Sequence, residues 1–350
     1  MESKKTGSRL LKIIMPLVLG GGILYWMYRD FDLESVGGVM LREMDWTWML
    51  LSFPFGILAQ MLRGWRWKQT LDPMVQRHEG TEVQGHEGTA VRRSVCVNAV
   101  FLSYAASLVV PRIGEFMRCG VLRRWDGVPF AKALGTVVTE RAVDMVIVML
   151  YSGLVLLLQM STFGSFFKRT GTTLDSVVGD FSLTGWTVTV VCGVAALLLL
   201  HLLLKRLYIY NKVKTTLNAL WEGVLSLRQV SNLTLYLALS VGIWVCYFLH
   251  FYLTFFCFEA TAGLGIGCAL VCFVVCNFAV LVPTPNGAGP WHFAVKTMLI
   301  LYGVADVQAL YFVLIVHTVQ TLLVVLLGVW GWLRLSFTSI KKPLETNTLH

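Results

Sequence analysis

Residues 110–144 read VPRIGEFMRCGVLRRWDGVPFAKALGTVVTERAVD, and the fold is decided there. A Pro-Arg-Ile-Gly-Glu turn lies between two strongly apolar runs. An arginine-rich segment follows, and then a long hydrophobic stretch that carries Glu140, Arg141 and Asp144. An ionisable side chain at membrane depth costs roughly 2.5–3.5 kcal/mol on insertion scales, so such residues mark functional sites and call for named partners.

That depth is set by composition. Hydrophobic residues make up 56% of the 350-residue chain and charged residues 14%, with mean hydropathy +0.68. A soluble domain carries about 25% charged residues. The chain therefore reads as an all-α polytopic membrane protein. The net charge of +9 sits between apolar runs, where it meets lipid head groups rather than nucleic acid. Residues 10–28 follow Lys4, Lys5 and Arg9 with no small-residue cleavage site after them, which suits a signal anchor. Among the eight cysteines there is no Cys-x-x-Cys pair. Cys268, Cys272 and Cys276 share one helical face as packing residues, and no metal or cofactor is expected. His78-Glu79-Gly80 and His86-Glu87-Gly88 lack metal-site spacing and belong to a solvated loop. Arg63-Gly64-Trp65-Arg66-Trp67-Lys68 reads as an interfacial anchor closing the second span.

Eight apolar segments occur at 10–28, 47–63, 95–110, 129–160, 183–204, 234–258, 264–282 and 306–332. Gly127-Val128-x-x-Ala131-Lys132-Ala133-Leu134 matches Gly303-Val304-x-x-Val307-Gln308-Ala309-Leu310, and this register sets Arg141 opposite His317 and Asp144 opposite Gln320. The order of elements repeats as well. If all eight segments cross, Lys and Arg divide almost evenly between the two sides. If 95–125 and 264–302 are re-entrant hairpins, most basic residues fall on the N-terminal side, as the positive-inside rule requires. The expectation is thus about six full spans plus two re-entrant hairpins. It places a cytoplasmic tail at 1–9, a first repeat at 10–160 and an outer loop at 161–182. A second repeat follows at 183–332 and a cytoplasmic tail at 333–350, in the inner (cytoplasmic) membrane of the cell. An odd number of crossings per half inverts the repeats, and broken helices at their interface are where transporters bind substrate.

In the first hairpin Pro111 stops a half-helix and Gly114 permits a tight turn or close approach. Glu115 opens the next half-helix, whose N–H groups and dipole suit phosphate. Arg112 and Arg118 have the geometry to clamp that phosphate, or to neutralise Glu115 and lock the hairpin. Arg141 and Asp144 fall on one face and can pair. Glu140 points toward Arg112 or Arg118. In the second hairpin Pro283, Pro285, Asn286, Gly287, Gly289 and Pro290 break the helix. His292 and Lys296 follow at i, i+4, and with His317 and Gln320 they form the matching polar set.

The Pro-x-Arg-x-Gly-Glu-x-x-Arg segment (Arg112, Gly114, Glu115, Arg118), the later Glu140-Arg141-x-x-Asp144 and the second Pro-x-Gly-x-Gly turn resemble the flippase-like membrane domain of lysylphosphatidylglycerol synthases, the multiple peptide resistance factors. The resemblance spans about residues 10–335. It implies a lipid-translocating or lipid-binding role carried by those residues. Where the family pattern is Pro-Gly-Gly-x-Gly-x-x-Glu, this chain has His292 in place of the acid. That departure weakens the case for a cationic head group or a proton-coupling carboxylate at this turn. Only a short tail follows Trp332, so the aminoacyl-transferring domain and its enzyme activity are not expected.

The leading expectation is a flippase for an anionic phospholipid or lipid-linked intermediate, acting alone or as a homo-oligomer. A non-transporting lipid-binding partner of a membrane enzyme is the second. A lipid-donor glycosyltransferase using Asp30 and Asp32 is the third.

Overall fold

The computed structural model describes residues 42–76, 91–159, 232–282 and 284–340, with residues 25, 38 and 230. The expected first span, the outer loop, the span at 183–204, the two His-Glu-Gly segments and Asp30 and Asp32 lie outside the described residues. All regular structure among the described residues is helical.

Helix α1 spans Trp46–Gln76 and carries Pro54 and Pro73 inside it. Helix α2, Arg93–Val109, ends where Val110 turns extended (φ −128°, ψ 121°) ahead of Pro111, because proline's ring disfavours a helical residue before it. Helix α3 is Ile113–Trp125, and α4 is Phe130–Leu158, starting after Pro129. Helix α5, Leu233–Tyr252, is capped by the Asn232 side chain, which accepts from the Leu235 N–H. A 3₁₀ turn, Leu253–Cys257, prolongs it. The short α6, Glu259–Ala262, leads to α7, Gly265–Ala279. A 3₁₀ turn at Pro285–Gly287 precedes α8, Pro290–Leu301, and α9 runs over Asp306–Ser336.

Length sorts these helices. Within the described residues, Phe130–Leu158, Leu233–Cys257 and Asp306–Ser336 are long and apolar enough to cross a membrane. The 17-residue α2 and 15-residue α7 reach only about 25 and 22 Å at 1.5 Å per residue, short of a hydrocarbon core of about 30 Å. Each is followed by a break and a second short helix. The order helix, broken hairpin, long helix thus occurs twice: α1, α2/α3, α4, and then α5, α7/α8, α9. A positive-φ glycine precedes each long helix, Gly127 (φ 71°) and Gly303 (φ 94°).

Specific contacts orient the elements. The Asp45 N–H donates to the Cys257 carbonyl (2.9 Å), which sets the start of α1 beside the end of α5. Arg92 pairs with Asp126 (2.6 Å), so the outer ends of the first hairpin meet. The end of α9 joins them, since Trp125 Nε1 donates to the Leu335 carbonyl (2.9 Å) and Arg92 Nη1 to that of Ser339 (2.8 Å). Near the start of α9, Phe312 packs against Phe255 and Phe258. Packing is reciprocal between the halves: α1 lies on α5, α2 on α9, and α7 on α4. Small residues allow the close approach. A Cβ on Gly328 would stand 2.2 Å from Ala105 Cβ, and one on Gly64 would stand 2.7 Å from Val97 Cα, the interface composition that membrane helices favour. The outer face of α4 presents Met145, Met149, Leu150, Leu154 and Leu157, an apolar surface suited to lipid.

Candidate functional site

Glu140 and Asp144, one helical turn apart on α4, are both buried, Glu140 completely. Charges so placed survive only with partners, and three helices supply them. From α1, Arg63 Nη1 reaches Asp144 Oδ2 at 2.7 Å, and Arg66 Nη1 reaches Asp144 Oδ1 at 2.7 Å. Arg66 Nε also lies 3.4 Å from Glu140 Oε1. From α3, Arg118 Nη1 lies 2.8 Å from Glu140 Oε2. From α5, the Ser240 hydroxyl accepts from Arg66 Nη1 at 3.1 Å.

Aromatic rings wall the guanidinium groups. Arg118 lies over Trp67 (4.5 Å to the centroid), Arg66 over Tyr236 (5.6 Å) and Arg63 over Tyr247 (5.8 Å). Such contacts gain strength when desolvated. Trp67 is itself fixed by donating to Thr136 Oγ1 (2.9 Å), and the Tyr247 hydroxyl donates to Tyr104 (2.8 Å).

The network is not balanced. Three buried arginines face two buried carboxylates, an excess of one positive charge. Arg63 Nε, Arg66 Nη2 and both Nε and Nη2 of Arg118 have no hydrogen-bond acceptor among the described residues. Buried donors without acceptors are costly; on the acceptor side Glu140 Oε2 meets Arg118 as an ion pair without hydrogen-bond geometry, and four guanidinium nitrogens are left over. Its rim is the Glu115–Arg141 pair (2.6 Å), with side chains 32% and 42% exposed. Arg141 also lies 3.5 Å from Asp144, which links rim to interior.

Several expected residues meet here: Arg118, Glu140 and Asp144 inside, Glu115 and Arg141 at the rim. Others do not. Arg112 is exposed and outside the network. It takes the left-handed turn itself (φ 62°, ψ 2°) and so forms the hairpin tip. Gly114 is helical, and its role is close approach. A Cβ there would stand 1.9 Å from the Ser103 carbonyl oxygen. The α3 N-terminus is not an open phosphate cradle. The N–H groups of Ile113, Gly114 and Glu115 donate to Val110 O, Ser107 Oγ and Arg112 O at 3.2, 3.3 and 3.4 Å. Arg63 and Arg66, expected as interfacial anchors, are instead network members at 2% and 0% exposure.

The second hairpin gathers its own polar set. Asn286 (φ 52°), Gly287 (φ 70°) and Gly289 (φ 92°) make the turn. Asn286 Nδ2 donates to Thr321 Oγ1 (2.6 Å), and its carbonyl lies 3.2 Å from His317 Nε2. The rings of His292 and His317 are 4.4 Å apart. Lys296 leaves this set to pair with Asp306 (2.9 Å) at the start of α9. Gln320 donates to the His250 carbonyl (3.3 Å). The cysteine trio is buried in an apolar cluster, and no group of three metal-ligating side chains forms among the described residues.

The model of a family described as the lysylphosphatidylglycerol synthase TM region matches residues 13–328. The chain belongs to that family. No curated protein and no solved structure matches it. Membership in the lysylphosphatidylglycerol synthase TM region family agrees with the apolar helices and places the chain in a membrane, in a lipid-related context.

Proposed function

We propose that the protein binds an anionic phospholipid or lipid-linked intermediate between two inverted repeats and carries it across the bilayer, without catalysing a covalent reaction. The observation that carries this reading is the buried arginine excess with open guanidinium N–H groups. A phosphate supplies both the missing negative charge and several acceptor oxygens, in a geometry that a guanidinium fork matches. The half-exposed Glu115–Arg141 pair stands at the way in. An arriving phosphate competes with the carboxylate for Arg141 and then for the arginines behind it.

The architecture supports the same reading. The first hairpin opens beside the end of α9, and Asp45 meets Cys257 at the opposite ends of α1 and α5. The Asp45–Cys257 contact sets α1 antiparallel to its equivalent α5, which supports an inverted arrangement of the halves. By the charge argument above, the Arg92–Asp126 end faces the cytoplasm. Partners follow from the site: membrane lipids first, with a second copy or a membrane enzyme as assembly partners.

The test is purified protein in liposomes with fluorescent phosphatidylglycerol, read by accessibility to a membrane-impermeant quencher. Wild type is expected to move the lipid between leaflets, and Arg141→Gln to slow that movement while the fold persists. No movement of phosphatidylglycerol by wild type overturns transport. Tight lipid retention in that case leaves a lipid-binding partner.

A further inference from the structure

A groove of about 630 Å³ runs between α1, α2 and α9, within the size range of ligand clefts. It uses a face of α1 other than the one that builds the charge network. Ile57, Met61 and Trp65 recur every fourth residue, whereas Arg63 and Arg66 point to α4 and α5. Val97 and Phe101 of α2 and Leu327 of α9 complete an apolar trough. Its mouth is different. Arg93, in the first turn of α2, and Arg334, in the last turn of α9, both line it and are both exposed. Arg93 lies over Trp65 (5.6 Å to the centroid) and Arg334 over Trp330 (5.7 Å). Neither arginine has a carboxylate partner among the described residues, and no acidic side chain lines the groove.

Two unpaired guanidinium groups beside two tryptophans, above an apolar trough open to the side, match one amphiphile. Arginine and tryptophan sit at head-group level in membranes, and stacking on the indole leaves the N–H edges of a guanidinium free for phosphate oxygens. The structure assigns this groove to a single phospholipid of net negative head-group charge. Its phosphate lies between Arg93 and Arg334, and an acyl chain lies along Met61, Val97, Phe101 and Leu327. This lipid is a resident rather than cargo. It wedges α1, α2 and α9 at the end where Arg92 meets Asp126, and it does not depend on the charge network.

The test is phosphatidylglycerol bearing a photoreactive acyl chain, incorporated with the full-length protein into phosphatidylcholine nanodiscs and mapped by peptide mass spectrometry. Labelling is expected in segments 57–65, 93–101 and 327–334, competed by unlabelled phosphatidylglycerol and not by phosphatidylcholine. The double variant Arg93→Gln/Arg334→Gln is expected to lose about 30-fold in groove labelling, from about fivefold per basic residue near an anionic surface. Arg93→Lys/Arg334→Lys is expected to retain most of it, and labelling elsewhere should not change. Wild-type labelling outside these segments only, equal competition by phosphatidylcholine, or full labelling of the Gln variant each overturns the assignment. The wild-type map decides even where a variant fails to fold. Loss of transport in the liposome assay leaves this result untouched.

Discussion

Asp144→Asn and Arg63→Gln break the same 2.7 Å ion pair, yet the structure predicts unequal costs. Asparagine keeps the shape of Asp144 but removes one of two buried carboxylates, leaving three buried arginines facing Glu140 alone. Arg63 then has no carboxylate among the described residues, because Glu140 is engaged by Arg66 and Arg118. Leaving a buried charge unpaired costs about 3–5 kcal/mol. Arg63→Gln removes the excess charge instead and leaves Asp144 with Arg66 at 2.7 Å. Its cost is that of a charge-assisted hydrogen bond, about 1.5–3 kcal/mol. The double variant restores the original excess of one positive charge, with Arg66 and Arg118 facing Glu140. It should therefore be more stable than the sum of the singles, by about 1–3 kcal/mol of coupling. Equilibrium chemical unfolding in mixed micelles, followed by tryptophan fluorescence, gives the ranking. The expected order is wild type, then Arg63→Gln, then Asp144→Asn, with the double variant close to Asp144→Asn rather than lower by the full cost of Arg63→Gln. An Asp144→Asn protein within about 0.5 kcal/mol of wild type, or strict additivity in the double variant, would refute the reasoning.

Two further outcomes follow from backbone geometry. Gly114→Ala sets a Cβ 1.9 Å from the Ser103 carbonyl oxygen and 2.5 Å from Ser107 Oγ. The first hairpin must spread, so the loss should exceed the roughly 1–3 kcal/mol of ordinary overpacking, read by the same unfolding assay. Asn286 holds a left-handed conformation and bonds Thr321. Asn286→Gly should cost about 1 kcal/mol for the lost bond. Asn286→Val should add about 1–3 kcal/mol of backbone strain, and equal stability of the two would contradict the assigned turn.

The sequence made the breaks legible. Val110 before Pro111 ends α2, and the Pro285-to-Pro290 run falls between α7, which ends at Ala279, and α8, which starts at Pro290. Matched Gly-Val turns ahead of α4 and α9 were legible for the same local reason. Burial of Glu140 and Asp144 followed from their place in an apolar run. Arg63 and Arg66 were hidden because they end the apolar stretch 47–63, beside Trp65 and Trp67, where arginine and tryptophan ordinarily anchor a helix at the interface. The helix runs on to Gln76. A signal was present: Ser52, Gly56, Gln60, Arg63, Trp67 and Thr70 recur every three or four residues and are all buried. A polar stripe at helical spacing that runs past the end of an apolar segment marks a protein-facing helix, not an anchor. Arg112 and Lys296 lie apart from the two polar sets. Motif position suggested convergence, but a hairpin tip turns one outward and Asp306 captures the other.

Arg66 is where the two halves of the chain share one side chain. It holds Asp144 and Glu140 of α4 in the first half, and it donates to Ser240 and lies over Tyr236 of α5 in the second. On the proposed reading, a phosphate that pulls the whole Arg66 guanidinium out of this position would loosen its contacts to α4 and to Ser240 of α5 together. Ligands shift conformations only through differential contacts with the two states, and this arginine provides one. The surplus charge sets the direction. With one more arginine than carboxylate inside, the proposed anion would compete with Glu115 at the rim but meet a net positive charge behind it. A cation would add to the excess, so on the proposed reading sign is selected before shape.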